Sequence, residues 1–361
     1  MIATVNSPWA LRSRILSGLG SCSKNGVSPP LKKFQMETIS DIVSCFELWK
    51  KFSPRKTLFD VWEFRLAFYK AYKYKPCFLL LKNRSQELAL LPLWYEDDTQ
   101  RYCWFGGDWQ EEVRFFSKRP NYIPILLSLA PSPLLLNAIA QDAIRPLKRE
   151  VRFEEDEPKY ILDLSKFRNH EDYLATIKKK TRQNLRRNRK KIEAQNPEIV
   201  IDNLSDFEHL VRLSEERFKQ KREETDWKDA RRVEAFRQVI KLAGESYKVR
   251  MITVLIGKKI AGVDLIALFN GCYYTLRCGY NVRSFPGIGS FFNLLEIDDA
   301  IGLGMKKVDF LQDSYEWKNL FFQTVPLFRY EKLACPHVRE QRQPLMTART
   351  SGSFLETAQG I

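Results

Sequence analysis

The stretch Cys272–Glu296, CYYTLRCGYNVRSFPGIGSFFNLLE, decides how this chain is read. Its aromatic-rich beginning, CYYTLRCGY, predicts a strand. Pro286, Gly287 and Gly289 then predict a turn, and Phe291, Leu294, Ile297 and Ile301 recur at the spacing of one helix face. Gly302 and Gly304 offer the helix a stop, and KKVDFL after them reads as a buried strand. A glycine turn between a strand and a helix can hold phosphate, because the first helical N–H groups lack partners and the helix dipole adds partial positive charge. Gly287 and Gly289 keep side chains out of such a cradle, Ser290 adds a hydroxyl and Arg283 a full charge. The other reading is a tight turn with a hydrophobic staple. Neither a Walker loop nor the GxGxxG dinucleotide fingerprint is present.

The strand order before this turn occurs twice. RMITVLI, GKK, IAGVDLIALF, NG and CYYTLRCGY repeat the pattern of CFLLL, KNRSQ, LALLPLWYE, DDTQ and RYCWFGG. Each block follows helical sequence ending in a Tyr-Lys step, AYKYK and ESYKVR; residues 41–51 and 57–72 supply the first of these helices. Two copies of one α/β domain follow, which suits 361 residues better than a single core. The predicted division is 37–157 and 158–335, with Pro158 opening the strand KYILDL and a disordered tail over 336–361. In the first copy the glycines of CWFGGDWQEEVRFFSK are followed by Asp108, Glu111 and Glu112, which would repel a phosphate, so the second copy is the better anion site.

Residues 1–36 hold no acidic residue, as in an organelle transit peptide, but the favoured reading is a disordered or non-native extension, with Met36 as the real start. The uncharged run between Arg119 and Asp142 approaches a membrane span in length. Pro124, Pro131 and Pro133 argue instead for a buried strand, IPILLSL, a turn and a helix, PLLLNAIAQDAI. Seven cysteines without a CxxC pair and three scattered histidines argue against a metal site and for reduced thiols in a cytoplasmic protein.

Lys and Arg number 59 against 44 acidic residues, a formal charge of +15 that favours anionic partners. The densest cluster is Asp172–Gln195, where nine of the residues from Lys178 to Lys191 are basic. Leu174, Ile177, Thr181, Leu185 and Ile192 form a thin apolar seam, predicting one amphipathic helix. Its basic face is either a phosphate surface or a solvated face paired with Glu215, Glu216, Glu223 and Glu224. No RRM, KH or zinc-finger pattern accompanies it, so specific DNA recognition is not expected.

CGYN, PGIGS, VDFLQDSYEWKNLF and the basic run together resemble the GNAT-fold acyltransferases of the CelD type, named from cellulose-biosynthesis clusters and related to the Fem peptidyltransferases. The resemblance spans roughly residues 40–335 and is strongest from 170 to 330. It implies two tandem GNAT-like domains, each a mixed, mainly antiparallel sheet flanked by helices. It also implies acetyl-CoA or another acyl-CoA as co-substrate and an amine-bearing small molecule or envelope precursor as acceptor. By position, Pro286, Gly287, Gly289 and Ser290 would form the pyrophosphate turn, Asp309 would end a strand, and Lys318 would match the lysine of a Tyr-Lys pair. Asp313 stands where the family has a loop glycine, and Trp317 where it has the tyrosine.

Acyl transfer to an amine needs a phosphate cradle, a polarised thioester and a route for a proton. Candidate bases are Asp264, Glu296, Asp309 and Asp313, and candidate acids are Tyr274, Tyr280 and Tyr315. Asp309, Tyr280 and Asp313 are the favoured catalytic set, with Tyr274, Trp317 and Lys318 toward substrate. Asp309 and Lys318 could instead pair structurally. The competing functions are a Fem-like transferase drawing on aminoacyl-tRNA and a binding protein that keeps the fold without the chemistry. No GxSxG occurs, which argues against a serine hydrolase.

Overall fold

The computed structural model describes residues 34–312 and 316–334. The extension before residue 34, Asp313, Tyr315 and the tail from Cys335 lie outside the described residues. The first half contains β1 (Gln35–Ile39), α1 (Ile42–Phe52), α2 (Trp62–Tyr72), β2 (Lys75–Asn83), β3 (Gln86–Glu96), β4 (Arg101–Trp104), β5 (Phe116–Ser117), α3 (Ile123–Leu129), β6 (Leu134–Ala140) and α4 (Gln141–Ile144). The second contains β7 (Glu154–Asp163), α5 (His170–Thr176), α6 (Lys179–Glu193), β8 (Glu198–Ile201), α7 (Phe207–Lys221) and α8 (Ala230–Leu242). It continues through β9 (Lys248–Ile256), β10 (Lys259–Phe269), β11 (Cys272–Tyr280), α9 (Ile288–Gly302), β12 (Lys307–Asp309), α10 (Glu316–Phe321) and β13 (Gln323–Lys332).

All strands join one sheet in the order β1-β2-β3-β4-β6-β13-β7-β12-β11-β10-β9-β8, with β5 beside β3. The order mirrors itself about the β13–β7 contact. In each half an antiparallel run ends in a parallel pair, β4 with β6 and β11 with β12, and an antiparallel strand follows. One strand of the second half crosses to the first at the centre. β13, last in the chain, pairs with β6 of the first half, and β7 pairs with β12. Residues 157 and 158, the expected division, both lie inside β7.

The cores are fused as well. On one face α1 and α2 share a hydrophobic cluster with α7 and α8, where Phe68 meets Phe236 at 5.8 Å and Phe59 meets Tyr274 at 5.9 Å. On the other face α5, α6 and α9 cover the second half with a separate cluster containing Leu174, Leu185, Ile192, Phe291 and Ile297.

Three local expectations are corrected. Residues 123–129 are helical, not a strand, and Leu134–Ala140 is the strand, not part of a helix. An unbroken apolar run does not separate a short helix from a buried strand. Pro124 in the first helical turn is the overlooked start signal. The basic run is two helices, because Ile177 adopts extended backbone (ψ 162°) and ends α5 before α6 begins. The helix expected over 57–72 opens with a 3-10 turn, Leu58–Asp60, and becomes α-helical at Trp62.

Candidate functional site

The site is built where β11 and β12 part. They pair only over Cys272–Tyr274 and Lys307–Asp309. From Thr275 to Tyr280, β11 has β10 on one side and no described strand on the other. Leu276 is an extra residue opposite the Leu265/Ile266 step, a bulge that bends the strand here. The result is a notch with an unpaired backbone edge along one wall.

The glycine turn closes one face of the notch. Gly287 is the N-cap of α9 with φ +97°, a conformation that only glycine adopts freely. A Cβ there would lie 3.1 Å from Asn188 Cβ and 3.2 Å from its Cγ. The Ile288 N–H donates to Phe285 O and that of Phe291 to Gly287 O; those of Gly287, Gly289 and Ser290 meet no acceptor among the described residues. Asn188 of α6 donates to Ser290 Oγ at 3.4 Å. Gly289 sits on the Tyr280 ring, 3.4 Å from its hypothetical Cβ. Pro286 and Arg283 are exposed at the rim. The structure therefore brings Gly287, Gly289, Ser290 and Tyr280 together and adds Asn188, which sequence reading passed over. Its signal was its place beside the apolar seam of the basic run.

Helix α6 brings its charge to this corner. Arg186 pairs with Glu171, and Arg189 with Glu193 and Asp298. The acids expected from the next helix do not take part: Glu223 pairs with Lys221 and Glu224 with Lys228. Lys178, Lys179, Lys180, Arg187, Lys190 and Lys191 form no ion pair with a described acidic side chain.

Beneath the turn lies a buried carboxyl pair, Asp264 of β10 and Glu296 of α9. Tyr280 donates its hydroxyl to Asp264 Oδ2 at 2.8 Å. Burial drives both carboxyls up, Asp264 to about 7 and Glu296 well above the usual range, and the two share a side-chain hydrogen bond. Such a bond needs a proton, so the folded protein retains one that the unfolded chain releases above about pH 4. The stability it contributes is fully present in acid and falls as pH rises through about 7, by roughly 1 kcal/mol per pH unit. Glu296→Gln supplies that hydrogen permanently. Its thermal midpoint between pH 5 and 8 is expected to fall less steeply than that of the wild type; parallel curves would refute the shared proton.

At the base of the notch, Lys159 of β7 bridges Asp309 (2.6 Å) and Glu112 of the first half, which also pairs with Arg114 at 2.7 Å. Asp309 is 0% exposed, and its other oxygen accepts the Leu311 N–H at 3.1 Å. Burial alone would lower the Lys159 ammonium and raise the Glu112 carboxyl. Asp309 and Glu112 outweigh it for the lysine, and Lys159 and Arg114 for the glutamate, so both stay charged. Asp309 does not pair with Lys318. That ammonium donates to Phe310 O (2.8 Å) and Gln312 O (2.5 Å), fastening the segment after β12. Trp317 packs near Phe321 and Phe322. Tyr274 lies on the opposite face from Tyr280, buried between the halves, and its hydroxyl accepts the Leu58 N–H at 3.3 Å. Glu111, read from sequence only as a repelling charge, accepts the Gln312 N–H at 2.7 Å and brings the first half to the notch.

Among the described residues no helix is long and apolar enough to cross a membrane, and no cluster of metal-ligating side chains occurs.

No curated protein matches the sequence. FemX shares the fold with a TM-score of 0.56 at 9% identity, over 82% of this chain and 97% of that one. A conserved protein of unknown function from Bacteroides thetaiotaomicron aligns with a TM-score of 0.55 at 12% identity, over 82% of this chain and 99% of its own. Residues 179–319, which hold α6, the glycine turn and the notch, match the family described as Acetyltransferase (GNAT) domain.

Proposed function

We propose that the protein is an acyl-CoA-dependent N-acyltransferase of the CelD type, moving an acyl group to an amine acceptor. Its C-terminal half, from residue 158, carries the transfer. The observation that carries this reading is the α9 N-terminus: a left-handed Gly287, three N–H groups without acceptors and the basic α6 alongside. Pro286, Gly287, Gly289 and Ser290 would hold the cofactor pyrophosphate, with Arg283 at the rim. The unpaired edge of β11 suits an extended, amide-bearing chain lying beside it like an added strand.

Transfer joins the acceptor nitrogen to the acyl carbon and breaks the thioester C–S bond; the nitrogen loses a proton and the sulfur gains one. Proximity in the notch supplies much of the rate. Tyr280, hydrogen-bonded to a carboxyl that titrates near 7, is the proposed proton-handling group. Asp309 fixes the notch through Lys159, and Lys318 fastens Phe310 and Gln312 after β12. Trp317 would wall the substrate side, whereas Tyr274, expected there, is buried between the halves against Leu58 and Phe59. A cytoplasmic setting goes with the five free cysteines among the described residues.

Thermal unfolding with acetyl-CoA, longer acyl-CoAs and free CoA tests the reading. A ligand at a hundredfold its Kd adds about 2.7 kcal/mol, a clear upward shift. No shift at saturating concentrations would remove the proposal. The basic side chains without an ion pair at Lys178 and along α6 favour one second reading, a Fem-like transfer from aminoacyl-tRNA. RNase-sensitive transfer without any CoA-dependent shift would select it.

A further inference from the structure

On the face of β11 opposite α9, two arginines enclose one tryptophan. Arg277 of β11 lies with its guanidinium carbon 3.5 Å from the Trp109 ring centroid, and Arg232 of α8 lies at 3.8 Å. Both distances are those of direct stacking, so the cations occupy opposite faces of the indole, about 7 Å apart. Trp227 and Phe236 stand 5.2 and 5.1 Å from the Arg277 guanidinium, which fixes its orientation.

The hydrogen bonding is incomplete. Arg277 donates to Asp226 at 2.9 Å, and Arg232 donates to the Tyr72 hydroxyl at 2.8 Å but forms no ion pair with a described carboxylate. Burial, reinforced by repulsion from Arg277, works against the Arg232 charge. Trp109 Nε1, Arg277 Nε and Arg232 Nη1 are buried and meet no acceptor. Neighbouring Arg231 differs, pairing with both Asp98 and Asp229. A fastening between the halves would not leave three buried donors on touching side chains unsatisfied. Planar, forked donors of this kind match a carboxylate.

The stack shares its strand with the notch. Arg277 follows Tyr274, where β12 departs, by three residues, roughly 10 Å along a strand. It keeps 18% of its side-chain surface open to solvent. We propose that the Arg277–Trp109–Arg232 stack recognises a carboxylate on the acceptor, so that the acceptor is an amine that also carries a carboxylate, such as an amino acid or a peptide end. This rests on the transferase reading for its role and on the stack alone for the site.

The test is thermal unfolding of the full chain with N-acetylglycine, its neutral counterpart N-acetylglycinamide and inorganic phosphate, each at constant ionic strength. N-acetylglycine is expected to raise the wild-type midpoint in a dose-dependent way and the amide is not. Arg232→Gln is expected to keep the ligand-free midpoint within a few degrees and to need at least tenfold more N-acetylglycine for the same shift. Should that variant not fold, Arg277→Lys keeps the charge, removes the fork and is read the same way. Equal shifts from acid and amide, no shift from the acid, or an undiminished shift in the variants would overturn the site. Phosphate acting as well as the acid would overturn the carboxylate assignment. A carboxylate-specific shift without any CoA shift would leave this site standing and remove the acyl-CoA reading, and the reverse would remove only this site.

Discussion

Lys159→Met is expected to destabilise the protein by about 3–5 kcal/mol. Lys159 is 3% exposed and neutralises two buried carboxylates at once, Asp309 from β12 and Glu112 from the first half. Methionine fills most of the volume and removes the charge. Glu112 keeps Arg114, but Asp309 retains only the Leu311 N–H. An unpaired carboxylate in such surroundings takes up a proton, so the deficit should shrink as pH is lowered toward 5 and widen above 7. Adding Asp309→Asn removes the stranded charge and should recover most of the loss. Denaturant unfolding of the single and double variants checks this; a double variant no more stable than Lys159→Met would show that the ion pairs are not the cause. The effect is large because β7 lies at the centre of the sheet, between β13 and β12.

Gly287→Asp is expected to abolish the thermal shift produced by CoA while leaving the protein folded. The φ of +97° opposes any side chain, and the new Cβ would press on Asn188, a few tenths of an ångström too near. Left-handed backbone costs a non-glycine residue roughly 1–2 kcal/mol. A carboxylate at a helix N-terminus offsets part of that cost by meeting the free N–H groups itself. The same carboxylate occupies and repels the place where a pyrophosphate would sit, so affinity should fall about a hundredfold or more, roughly 2.7 kcal/mol. A retained CoA shift in a folded variant would place the cofactor elsewhere. Ser290→Ala gives the milder comparison, since its hydroxyl is only one of several donors.

Local chemistry made much of this molecule readable. Phe291, Leu294 and Ile297 marked the buried face of α9, Gly287 marked the turn, and apolar and aromatic runs between short polar turns marked β9, β10 and β11. These are near-neighbour signals set by periodicity and by glycine's tolerance of positive φ. The reversal of α3 and β6 shows where such signals stop. Both are short and apolar, and β6 is a strand because β13, almost two hundred residues later, pairs with it. The break at Ile177 was hidden for a similar reason, since the seam of Leu174, Leu185 and Ile192 continues across it.

The sequence by itself determined the repeat, the glycine turn, the excess of basic charge and the inequality of the two halves. Each depends on residues close together in the chain. The tertiary structure alone decided that β13 crosses to pair with β6 of the first half, that Asn188 stands beside Gly287, and that Asp309 answers to Lys159. It also decided that Asp264 and Glu296 are buried together and that Trp109 lies between Arg232 and Arg277. Those pairings join residues tens to hundreds of positions apart. They follow from how a continuous sheet brings its two halves together, which no local pattern encodes.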